Sequence, residues 1–85
     1  MNNIIFSDHA RQEMLRRNIT QAQIEDVVQN PEQIVSVNLE RSIYQSKLKL
    51  SQKEYLLRVV VDIRGESLTV VTIYKTSKVK KYWRE

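Results

Sequence analysis

Apolar residues recur at helical spacing in the first third of the chain and at alternate positions beyond residue 33. That change of period confines the fold to the α+β class. The clearest strand is 55–63, with Tyr55, Leu57, Val59, Val61 and Ile63 on one side and Leu56, Arg58, Val60 and Asp62 on the other. Shorter strands are expected at about 33–37, 42–48 and 68–75, the last entered through the turn Arg64-Gly65-Glu66. In strand 68–75, strict alternation sets Leu68, Val70, Thr72 and Tyr74 on one face and Thr69, Val71, Ile73 and Lys75 on the other.

Two helices precede the strands. Ser7 offers an N-cap and Asp8 a favourable charge at the positive helix end, so a helix is predicted over about 8–17, stopped by Asn18. Thr20 and Gln23 have capping-box spacing, and Ile19 and Ile24 fit the hydrophobic staple. The second helix is predicted over about 21–29, ending before Pro31. The expected architecture is one domain, 1–85: two N-terminal helices packed on one face of a four-stranded antiparallel sheet.

Composition narrows the chemistry. At 85 residues and 41% hydrophobic, the chain can build one small core and no second domain. It has no Cys, which removes disulfides, thiolate metal sites and a cysteine nucleophile. One His and no acidic cluster give no metal-ligand set, and no motif asks for a cofactor. Glycine-rich phosphate loops and Gly-x-Ser-x-Gly elbows are missing, which removes NTPases and elbow-type hydrolases. No apolar run approaches the roughly 20 residues of a membrane span. With no leader-like N-terminus, a soluble cytoplasmic protein is expected.

The net charge of +4 is local. Residues 1–74 carry nine basic and nine acidic side chains, whereas segment 75–85 carries five basic and one acidic. Lys75, Lys78, Lys80, Lys81 and Arg84 are interleaved there with Tyr82 and the only tryptophan, Trp83. Cations beside stackable rings suit RNA; a solubilising tail accounts for the same residues equally well.

Three further positions carry candidate chemistry. His9, in the first turn of helix one, can accept or donate a proton near neutral pH, although an ordinary surface histidine pairing with Glu13 would look the same. Thr72 and Tyr74 can hydrogen-bond phosphate oxygens, and both are also simply good strand formers. Arg58 interrupts an apolar strand and needs solvent, a carboxylate or a ligand anion. Arg16 and Arg17 add cations from helix one. RNA can be cleaved without a metal because its 2′-hydroxyl is an internal nucleophile, given a proton acceptor, a donor and cations around the phosphorane.

Phe6-Ser-Asp-His9-Ala10, Met14, Arg17-Asn-Ile19-Thr20, Asn30-Pro31-Glu32-Gln33-Ile34, Leu57-Arg58-Val59-Val60-Val61 and Val71-Thr72-Ile73-Tyr74 together resemble the domain-of-unknown-function family numbered 4258. The resemblance implies a RelE/barnase-like fold and a metal-independent endoribonuclease, the toxin of a bacterial toxin–antitoxin pair, held in check by a small antitoxin protein. It implies that His9 matches the family's helix-one histidine, Arg17 its helix-ending arginine, and Thr72 and Tyr74 its last-strand polar pair. Glu13, where the family often has a basic residue, and Asn18, where it often has Gly, depart from the pattern.

The leading expectation is therefore an endoribonuclease with His9, Thr72 and Tyr74 as catalytic residues and Arg17 and Arg58 on the phosphate. Lys75, Lys78, Lys80, Lys81, Trp83 and Arg84 would bind RNA, free or on the ribosome. Two alternatives stand beside it: a non-catalytic RNA- or ribosome-binding module, and a protein-interaction domain using the sheet face or an edge strand.

Overall fold

The computed structural model describes residues 3–85, so Met1 and Asn2 of the N-terminal stretch read above lie outside the described residues. The chain runs β1 (Asn3–Phe6), α1 (Asp8–Arg17), α2 (Gln21–Gln29), β2 (Gln33–Ser36), β3 (Arg41–Leu50), β4 (Lys53–Arg64), β5 (Ser67–Thr76) and α3 (Val79–Tyr82).

The sheet has five strands in the order β1-β5-β4-β3-β2. Three hairpin pairings are antiparallel, but β1 lies parallel to β5, with Ile4 opposite Leu68 and Phe6 opposite Val70. This corrects the expected four-stranded antiparallel sheet carrying two N-terminal helices. The sheet is mixed, and there is a third, C-terminal helix. Ile4-Ile5-Phe6 is a strand because Phe6 is buried and Ile4 packs on the core, while its backbone finds an open edge on β5.

Ser7 joins this edge to the first helix. Its N–H donates to Val70 O at 3.0 Å and its hydroxyl donates to Val71 O at 2.9 Å. The same Oγ accepts from Ala10 N at 3.0 Å, capping α1. One side chain thus fixes α1 against β5. At the other end Asn18 adopts the left-handed conformation, φ 56°, and its N–H and that of Ile19 close on Leu15 O and Met14 O. Thr20 and Gln23 make the reciprocal bonds of a capping box at the start of α2.

Ala10, Ile19, Ile24, Val27 and Val28 from the helical region meet Leu57, Val59, Val61, Leu68, Val70 and Ile73 of the sheet in one core. A bulge shapes β5: Val60 faces Thr72 while Val61 faces Val70, leaving Val71 as the extra residue. The bulge changes the phase of the strand. Leu68, Val70 and Ile73 all point to the core, and Thr72 and Tyr74 point away from it. The expected sharing of one face by Leu68, Val70, Thr72 and Tyr74 is corrected accordingly.

Candidate functional site

The face turned away from α1 and α2 carries a row of polar side chains running across four strands. Register sets Gln33 of β2 opposite Gln45 of β3, Gln45 opposite Arg58 of β4, and Arg58 opposite Tyr74 of β5. The side chains are joined in the same order. Gln45 Nε2 donates to Gln33 Oε1 at 2.8 Å, Arg58 Nε to Gln45 Oε1 at 2.8 Å, and Arg58 Nη1 to the Tyr74 hydroxyl at 2.5 Å.

Arg58 is the centre of this row and is only 6% exposed. Among the described residues it forms no ion pair. Asp62, the acid on the same face of its strand, is held by a two-pronged bond from Arg41 at 2.7 and 2.9 Å. That guanidinium keeps the Asp62 carboxyl below its usual range. The charge of Arg58 is met instead by neutral partners: Gln45, Tyr74, and the ring of Tyr82, whose centroid lies 4.4 Å from Cζ. Tyr82 meets Tyr74 edge to face at 6.4 Å. A buried cation with dipoles and π-faces but no carboxylate is poised to take an anion, because its desolvation remains only partly offset. Tyr74, accepting from Arg58, keeps its own proton available to a further acceptor.

The C-terminal segment closes over this row. Gln45 Nε2 donates to Tyr82 O at 3.2 Å, Gln33 Oε1 accepts from Arg84 N at 3.0 Å, and Gln33 Nε2 donates to Arg84 O. Trp83 lies beneath the Lys47 ammonium, 4.1 Å from its ring centroid, and lines a groove of about 340 Å³ with Lys47, Glu54, Val79, Lys80 and Glu85. Lys78, Lys80 and Lys81 are exposed beside it.

The remaining candidates sit elsewhere. Thr72 shares the far face with Tyr74 and stands opposite Val60. His9 is exposed in the first turn of α1. Lys75 stands opposite Leu57 on the helix-bearing face, with its ammonium 5.8 Å from the Tyr55 ring, apart from the α3 lysines. Arg17 donates to Glu13 at 2.8 Å, and Arg16 grips the same carboxylate with two bonds at 2.9 and 3.0 Å. These two arginines hold the Glu13 carboxyl far below its ordinary 4.5, at about 2. Gln33, Gln45 and Lys47 escaped the sequence reading; a polar residue in a strand signals a site only once register places it beside another. Among the described residues, no three His, Cys, Asp or Glu side chains converge as a metal site would require.

A family model described as a domain of unknown function, DUF4258, matches residues 6–75. The chain belongs to the DUF4258 family. The DUF4258 span holds the whole polar row from Gln33 to Tyr74, and it stops short of α3 and the segment that covers the row. No curated protein and no solved structure matches the chain.

Proposed function

We propose that this DUF4258 protein is a metal-independent endoribonuclease, the toxin of a bacterial toxin–antitoxin pair, acting on RNA in the cytoplasm and restrained by a small antitoxin protein. The observation that carries the reading is Arg58, a buried guanidinium without a carboxylate, bonded at 2.5 Å to a tyrosine hydroxyl. A phosphodiester would supply the missing negative charge. Arg58 would bind a non-bridging oxygen and stabilise the charge that grows on the phosphorane. Thr72 would orient the phosphate. The RNA 2′-oxygen attacks phosphorus and the 5′-oxygen leaves with a proton, giving a 2′,3′-cyclic phosphate and a 5′-hydroxyl. Tyr74 would donate that proton, and the 2′-hydroxyl would lose its own to solvent, because His9 stands on α1, on the other side of the sheet from this row. Lys78, Lys80, Lys81 and Arg84 would hold the RNA backbone and Trp83 a base.

The test is RNA cleavage in EDTA with product ends read by mass spectrometry. Tyr74→Phe is expected to lower the rate at least about 100-fold, the scale of general acid catalysis. Persistence of full activity in that variant would remove Tyr74 from the chemistry.

A second reading, a non-catalytic RNA-binding module, is favoured by Glu13. Its carboxylate holds both Arg16 and Arg17 and so engages two of the three arginines of helix one. Salt-sensitive RNA binding with no product ends would select it.

A further inference from the structure

The segment after β5 is bound to the polar row in an unusual way. Its hold on Gln33 and Gln45 goes through its own main chain: Arg84 N–H and C=O against the Gln33 amide, and Tyr82 C=O against Gln45 Nε2. No residue of α3 is buried. Its side-chain contact to the row is the Tyr82 ring, on the Arg58 guanidinium and edge to face with Tyr74. The segment is also rich in positive charge, and the Tyr82 ring that meets the Arg58 guanidinium at 4.4 Å meets the Lys81 ammonium at 5.3 Å, so a second cation stands near the buried one. A polyanion reverses that balance.

We infer that residues 77–85 form a strap that covers Arg58 in the free protein, is latched by the Gln33 amide, and lifts when a polyanion takes its place. The latch is a side-chain amide reading one residue's N–H and C=O together, so a single substitution at Gln33 removes both bonds. Tyr82 leaves the guanidinium when the latch opens, and the lysines of the strap swing with it onto the incoming backbone. Strap and polyanion compete for the same face.

Covering of Arg58 can be measured without RNA. Phenylglyoxal labelling of the full-length protein, mapped by peptide mass spectrometry, reads Arg58 directly, with Arg41 as internal control. Gln33→Ala is expected to raise the Arg58 rate at least about fivefold, the loss of one to two hydrogen bonds. Arg84→Pro removes the strap's N–H donor with the sheet untouched and should do the same. Trp83 emission should shift to longer wavelength in both variants. In a second arm, Gln33→Ala is expected to bind a fluorescein-labelled single-stranded RNA 12-mer about three- to tenfold more tightly than the unaltered chain.

The labelling arm stands apart from the proposed function; only the RNA arm rests on it. Arg58 labelling that rises while neither protein binds RNA upholds the strap and rejects the RNA reading. Arg58 labelling that stays constant in both variants overturns the strap whatever RNA does. A rise in labelling with unchanged RNA affinity overturns the competition, since RNA would then bind without uncovering Arg58.

Discussion

Replacing Gln45 by Leu removes the acceptor of Arg58 Nε and leaves a buried charged donor unmet. The expected loss is about 2 kcal/mol in urea denaturation. Arg58→Leu removes the charge itself and should cost less, because the desolvation of the cation disappears with it. A larger loss for Arg58→Leu than for Gln45→Leu would show that the guanidinium stabilises the fold and is not held there for a ligand. Glu13 provides a second test at this scale. Its folded value, about 2, lies below the ordinary 4.5, so its contribution is complete above 4.5 and fades as pH falls toward 2. Acid denaturation of Glu13→Gln should therefore show a shallower loss between those values, and high salt should shrink the difference because Arg16, one of the two partners, is open to solvent. What was legible at this scale was the anomaly of Arg58, a charge amid Leu57, Val59 and Val60. Its partners were not legible, since Gln33, Gln45 and Tyr74 come together only through the register of three hairpins.

Among the elements, the β3–β4 turn carries the clearest strain. Ser51 and Gln52 both have positive φ, 49° and 65°, between Leu50 and Lys53, which face one another. This is the geometry that Asn-Gly adopts readily and other residues adopt at a cost. Ser51→Asn combined with Gln52→Gly should stabilise by about 1 kcal/mol. A Tm rise of roughly 4–8 °C is the corresponding thermal readout. Ser7→Ala should move the other way by about 1–2 kcal/mol, as it loses the α1 cap and the bond to Val71 O together. The helix starts were legible because caps act within four residues. β1 was not: its partner lies more than sixty positions away, and three apolar residues do not specify a parallel edge. The bulge at Val71 was equally silent, since alternation in a sequence cannot show where a ladder slips.

For the molecule as a whole, charge separates into two regions. Acidic and basic side chains pair across the α1 surface and at the Arg41–Asp62 and Arg64–Glu40 bridges, while Lys78, Lys80 and Lys81 stand together in the open beside the far face. RNA binding should follow that asymmetry. Each Lys→Ala change among these three should flatten the slope of log K against log salt by about 0.7, whereas Lys49→Ala should leave it unchanged. Equal effects from both would place the RNA elsewhere. No helix among the described residues is long and apolar enough to cross a membrane.

The parallel pairing of β1 with β5 also sets when this protein can come into being. Ser7 is made 64 residues before Val71, the residue to which it bonds. While a ribosome still holds β5 in its exit tunnel, the first helix has nothing to dock against and the far face lacks Tyr74. The polar row is assembled only after β5 has emerged, so a nascent chain stopped before Tyr74 lacks it.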